Sequence, residues 1–503
     1  MRFSRSAGVL AHPTSFPSRY GIGDLGGAAY HFVDFLDKAG QSLWQILPLG
    51  PTGYGDSPYQ CFSAFAGNPL LISPDKLVQE GYLPAQAVAE VPPFPANTID
   101  FGWIIDYKYD LLRQAYAHFQ VYGLGEQRDA FVAFCEEQSA WLDDYALFMA
   151  LKNYHVEHEG GVWNTWPNEI AHREPEAMAV WSDKLADVVR TYKFWQFLFF
   201  NQWLDLKTYA NDHGIQIVGD IPIFVAFDSA DVWANPRLFY LEEDGSPTVV
   251  AGVPPDYFSV TGQRWGNPLY RWNEMADNDY TWWTRRLQMC FVQADIVRID
   301  HFRGFDAYWE IPASEETAVI GKWIKGPGQA FFSAMEEQLG TLPLIAEDLG
   351  LITPEVEALR DRFDFPGMKI LQFAFGGERN SDFLPHNFTQ NCVVYTGTHD
   401  NETVTGWFQN VSDDERDHIR RYMAIDGRNI AWDMIRLAYA SVANTAVATL
   451  QDLMELDNVA RMNFPGKPSG NWQWRYTPDR LTDEIAYRLR DITALYGRLP
   501  ITD

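Results

Sequence analysis

The chain is 503 residues long and carries 67 Asp and Glu against 39 Lys and Arg, a formal net charge of −28. That balance argues against a nucleic acid partner, because displacing the counterions of a polyanion needs a basic face, and the length suits one barrel of about 250 residues with insertions better than several small domains. The apolar stretch FWQFLFF at 194–200 falls far short of the roughly 20 residues of a membrane span and reads as a buried helix face, so no membrane partner is expected.

In chain order, the N-terminal MRFSRSAGVLAHPTSFPSRYG has arginines but lacks the apolar core of about 7 to 15 residues that a secretory signal requires. Cys61, Cys135, Cys290 and Cys392 lie 74, 155 and 102 residues apart, which gives neither a CxxC motif nor a disulfide framework. A cytoplasmic protein with reduced thiols is the expectation. Eight short apolar runs read as strands: 7–11, 43–49, 215–220, 294–300, 342–347, 367–374, 392–398 and 445–450. Helical patterns separate several of them, for instance 27–40, which ends on a glycine, and a segment opening at Ser412 and Glu415 with capping-box spacing.

Two intervals are too long for simple crossovers. Residues 75–200 are mostly helical in pattern, including 129–155 and 191–214, and form an insertion after the second strand whose last helix leads into the third. Residues 223–290, after the third strand, form an irregular insertion rich in Gly, Pro, Trp and Tyr. A segment of that length without period inside a compact domain is usually functional. The expected fold is α/β, a (β/α)8 TIM barrel spanning 1–503 as a single domain with these two insertions.

Three acidic residues end apolar runs: Asp300 in ADIVRID, Glu347 in LPLIAE and Asp400 in CVVYTGTHD, 47 and 53 residues apart. Barrel strands bring their C-terminal ends to one mouth, so these carboxyls would converge there, and convergent carboxylates without a metal point to acid–base and nucleophilic chemistry on sugars. Arg298 and Asp300 share a strand face, so a fixed cation keeps the aspartate ionised, or simply closes the barrel as an ion pair. Two neighbouring anions would raise the pKa of Glu347, as a general acid requires. His399 is open to either a sugar-binding or a structural role. No HxH or HExxH spacing appears, and neither metal nor cofactor is expected. Aromatic residues, 19 Trp, 24 Tyr and 33 Phe, are frequent in loop-like sequence, where rings could stack on sugars.

The order of GDIPIFV (219–225), VRIDHFRGF (297–305), EDLG (347–350) and TGTHDN (396–401) resembles the four strand-end motifs of the α-amylase clan, and more closely those of the 4-α-glucanotransferases of glycoside hydrolase family 77. HPTSFPSRYGIGDLG (12–26), LPLGPTGYGDSPYQ (47–60), the aromatic loop 252–268 and RMNFPGKPSGNWQWR (461–475) are similar to that family too, so the resemblance covers the whole chain. Asp220 is followed by Ile221 and Pro222 rather than the Asn-His of the general amylase pattern, a departure that this family shares.

The resemblance implies a retaining double displacement, in which Asp300 forms a covalent glucosyl-enzyme and Glu347 acts first as acid and then as base, with the two carboxyls about 5 to 5.5 Å apart. It further implies that Asp400 holds the 2- and 3-hydroxyls, that Arg298 and His399 fix charge and ring position, and that Asp220 supports Arg298 or meets the sugar. Tyr59 is expected under the sugar at the cleavage site. Asp256, Phe258, Gln263 and Trp265 are expected in a loop closing over the acceptor side, with Tyr54, Ser57 and Asn471 as further substrate contacts. The implied substrates are α-1,4-glucans such as maltooligosaccharides, amylose, starch or glycogen chains. An α-amylase-type hydrolase and a non-catalytic glucan-binding relative are the alternatives.

Overall fold

A computed structural model of the protein describes residues 3–156, 161–255, 259–377, 381–467 and 469–500, with the side chain of Tyr54 outside that description. At its centre are strands β1 (Ser6–Leu10), β2 (Leu43–Gln45), β3 (Gln216–Pro222), β4 (Ile296–Asp300), β5 (Leu344–Ala346), β6 (Gly367–Ile370), β7 (Cys392–Tyr395) and β8 (Thr445–Thr449). Each pairs in parallel with its neighbours in sequence, and β1 pairs with β8, which closes the barrel. A (β/α)8 barrel is therefore present, with one strand at each of the eight apolar runs.

Alternation along the strands fills both sides of the barrel wall. Leu43, Val218, Ile296, Ile345, Ile370 and Val393 belong to the cluster inside, whereas Val9, Val297, Ile299 and Val394 belong to the larger core beneath the helices. Burying one such side chain contributes about 1.5–3 kcal/mol. On β4 the two-residue period places Ile296, Arg298 and Asp300 on the interior face, so the apolar plug ends where Arg298 begins and Asp300 stands at the mouth. Several strands are shorter than the apolar runs: β5 stops at Ala346 and β7 at Tyr395, so Glu347 and Asp400 stand in the loops that follow. Gly367 opens β6 because a Cβ there would lie 2.3 Å from a carboxylate oxygen of Asp348. That approach lets the Met368 N–H reach Asp348 at 2.7 Å, and Arg360 pairs with the same carboxylate.

Between β2 and β3 run the helices Phe101–Tyr122, Gly125–Glu137, Ser139–Val156, Pro175–Lys184 and Ala186–Asp212. The pattern 129–155, continuous in sequence, is broken at Gln138, where a turn separates two helices. FWQFLFF is buried at all seven positions rather than on one face, because helix Ala186–Asp212 is enclosed on all sides at that level. The polar group in that run, Gln196, is satisfied by the N–H and C=O of Gly67 at 2.7 and 2.8 Å. Among the described residues no helix is long and apolar enough to cross a membrane.

The stretch 223–290 is not wholly irregular. Strands Val249–Val253 and Gln263–Pro268 pair antiparallel with a bulge between Val250 and Gly252. Val249–Val253 pairs also with Ala307–Pro312, which in turn pairs with Lys322–Lys325. Two of the four strands thus come from beyond β4, a long-range pairing that leaves no local periodicity to read. The small sheet carries Gln263 and Trp265 at one edge, beside the barrel mouth.

Candidate active site

The site is organised around Arg298, whose side chain is only 5% exposed. Its Nη1 donates to both carboxylate oxygens of Asp220, at 2.8 and 2.7 Å, and its Nη2 donates to Oδ1 of Asp300 at 2.9 Å. Burial works against the guanidinium charge, but Asp220 and Asp300 hold the Arg298 pKa well above its ordinary value. One buried cation therefore serves two aspartates from neighbouring strands β3 and β4. Asp220 is fully enclosed, while the Asp300 side chain is 31% exposed and faces the mouth. Tyr59 donates its hydroxyl to Asp220 Oδ2 at 2.8 Å, and the Ser57 hydroxyl accepts from the Tyr59 N–H at 3.2 Å, which fixes the turn beneath that ring.

Glu347 follows β5, the next strand round the barrel. Its carboxyl accepts from the backbone N–H of His301 at 2.7 Å and from that of Leu349 at 2.9 Å. The first donor is aimed by the left-handed backbone of His301, φ 56°. Burial foremost, and then the Asp300 charge, push the Glu347 carboxyl up to about 7, outweighing Arg298 and the two N–H donors. Burial, with Arg303, pushes His301 down to about 3, so its imidazole is neutral. The Trp265 ring meets His301 edge-on, with centroids 4.9 Å apart at 89°, and its Nε1 donates to Gln263 Oε1 at 3.1 Å.

The third carboxyl, Asp400, has a different environment. Burial opposes its ionisation, but His399, with its Nε2 at 3.4 Å from Asp400 Oδ2, and Asn463, donating from Nδ2 to Oδ1 at 2.6 Å, hold it well below the usual carboxylate range. Burial likewise disfavours a charged His399, and Asp400 overrides that, raising the histidine pKa. Tyr59 stacks on His399, with centroids 5.1 Å apart and planes at 19°, and Trp472 packs against both at 5.9 and 5.8 Å.

Asp220, Arg298, Asp300, Glu347, His399, Asp400 and Tyr59 thus lie in one connected set, with Trp265 and Gln263 beside it through His301. Asn471 stands apart: its Oδ1 accepts from Phe464 N–H and its Nδ2 donates to Lys467 C=O, both at 2.9 Å, so it braces its own loop. Asp256, Phe258 and the Tyr54 side chain lie outside the described residues. Three further residues belong to the set and carry no local sequence signal. Asn463 also donates its N–H to the His399 carbonyl at 3.0 Å, Arg461 donates to the Asp400 carbonyl at 2.6 Å, and Trp472 completes the ring cluster. All three belong to the 461–475 motif, which marked the segment without marking which side chain reaches back to β7.

A closed parallel barrel with a proton-holding glutamate next to an arginine-paired aspartate at its mouth defines a class of proteins equipped for acid–base chemistry at glycosidic bonds. Residues 11–482 match the 4-alpha-glucanotransferase family, glycoside hydrolase 77, and the chain belongs to that family. It is 52% identical over 498 residues to the 4-alpha-glucanotransferase of Synechocystis sp., covering 98% of each chain. Identity to the 4-alpha-glucanotransferase of Thermus thermophilus is 51% over 508 residues, covering 99% of this chain and all of the relative. Among solved structures, an amylomaltase from Streptococcus agalactiae in complex with acarbose superimposes with a TM-score of 0.95 at 41% identity, covering 99% of this chain and 100% of that one.

Proposed function

We propose that the protein is a 4-α-glucanotransferase that moves α-1,4-glucan segments from one maltooligosaccharide or starch chain to another through a glucosyl ester of Asp300. The carrying observation is the pair at the ends of β4 and β5, in which Asp300 is paired to Arg298 while Glu347 is held up to about 7. An Asp300 oxygen attacks the anomeric carbon as its bond to the leaving 4-oxygen breaks, and that oxygen takes the Glu347 proton. The 4-hydroxyl of an incoming glucan then attacks the same carbon, returns its proton to Glu347 and releases the Asp300 carboxylate, so configuration is retained. Asp400, kept ionised by His399 and Asn463, is suited to accept hydrogen bonds from sugar hydroxyls. Tyr59, stacked on His399, offers an apolar ring to the sugar. Four free thiols accord with a reducing compartment, the cytoplasm.

Water and an acceptor hydroxyl compete for the same intermediate, so transfer depends on an acceptor side that binds sugar and excludes water. Trp265, whose ring packs against the imidazole of His301 while the backbone N–H of that residue meets Glu347, supports that role. Incubation with maltotriose alone tests the activity: a ladder of longer oligosaccharides with glucose is expected, whereas maltose and glucose without longer products would make the protein a hydrolase. Trp265→Ala is expected to raise the ratio of hydrolysis to transfer several-fold, read as reducing ends formed per longer oligosaccharide. An unchanged ratio would remove Trp265 from the acceptor side.

A further inference from the structure

The two edge strands of the small antiparallel sheet meet the segment that follows β4, one at His301 and the other at Arg303 in the turn Phe302–Phe305. At one edge Trp265 meets His301. At the other, the strand Lys322–Lys325 presents Trp323, whose ring lies 3.8 Å from the Arg303 guanidinium and packs against Trp309 with centroids 5.3 Å apart at 67°. Arg303 is itself tied down, donating to the Leu351 carbonyl. Arg303 is three residues past Asp300 and Leu351 four past Glu347, so Trp323 stands on the rim of the same mouth. It is nevertheless 39% exposed.

A partly exposed tryptophan held on one side by a cation and packed against a second indole costs little entropy to use as a binding surface. Three strand spacings separate its strand from that of Trp265, roughly 14 Å at about 4.8 Å each, which is further than a single glucose unit reaches. We propose that Trp323 is a stacking platform for an α-1,4-glucan, binding sugar units several residues beyond the cleavage point on the side of the acceptor chain. The proposal rests on the transferase reading, and it assigns that activity a preference for long acceptors that short ones do not reveal. Arg303 holds the ring in place as a positioning residue.

The test compares Trp323→Ala and Trp323→Tyr with the unaltered enzyme, using maltotriose as donor and either isotopically labelled glucose, read as label entering maltotriose, or amylose of about twenty units as acceptor. Loss of one stacking contact is expected to raise the KM for amylose about 5- to 10-fold in the alanine variant, to leave kcat and the glucose-acceptor kinetics unchanged, and to be largely rescued by tyrosine. An amylose KM equal to that of the unaltered enzyme would overturn the proposal, as would a loss of equal size with both acceptors, which would mark Trp323 as structural. Failure of the unaltered enzyme to transfer from maltotriose to glucose would instead overturn the transferase reading on which the platform depends.

Discussion

Asp300→Asn is expected to lower glucan exchange on the order of 10^4-fold or more, the scale on which loss of a nucleophile acts. The substituted side chain keeps a carbonyl oxygen for the Arg298 Nη2, and the contact of that arginine with both oxygens of Asp220 is untouched, so the fold should survive with a small change in Tm. A second consequence follows from the shared field. The Asp300 charge is one of the two causes that push Glu347 up, so removing it should lower the Glu347 pKa below about 7 while burial keeps it above the ordinary value. Exchange measured as the maltotriose ladder, with circular dichroism to confirm folding, decides the first point. Activity within tenfold of the unaltered protein would refute the nucleophile assignment.

Glu347→Gln carries the next largest effect. A proton donor to the leaving 4-oxygen contributes about 10^2- to 10^4-fold, so kcat on maltooligosaccharides should fall by that factor. A donor with a leaving group that needs no proton, such as an α-maltosyl fluoride, should lose far less in the first step. On the proposed mechanism the glucosylation step needs Glu347 protonated, so the rate should decline as pH rises through about 7, and the glutamine variant should lack that limb. Stability has the same sign. Between the ordinary value of 4.5 and the folded value of about 7 the folded state holds a proton that the unfolded state has released. The unaltered protein therefore loses stability as pH rises through that window and is flat above it, whereas the variant has no such term. The difference in Tm between variant and parent should grow from pH 5 to pH 7.5 in the favour of glutamine.

The parts of this site that the sequence made legible are those governed by local geometry. Arg298 and Asp300 are two residues apart on one strand, so their shared face is a property of the pleat, and the apolar runs before Asp300, Glu347 and Asp400 mark strand ends whatever the partners are. Strand extent was less legible, because β5 and β7 stop where their neighbours no longer offer a register, and this places Glu347 and Asp400 in loops. The antiparallel sheet was hidden because its four strands are drawn from either side of β4. Asn463 and Trp472 were hidden for the same reason: each reaches a partner more than sixty residues earlier in the chain, and only the closure of the barrel brings the 461–475 segment back to His399 and Asp400. Asn471, in that same segment, hydrogen-bonds within the loop that presents Trp472.

On the proposed mechanism Asp300 becomes covalently bonded to the transferred sugar. Glu347→Gln incubated with α-maltosyl fluoride separates the two halves of the reaction, since fluoride departs without a proton while no base remains to activate an acceptor. Peptide mass spectrometry on the quenched protein should find one maltosyl group on the peptide that contains Asp300. An adduct on any other residue, or none while fluoride is still released, would contradict the account.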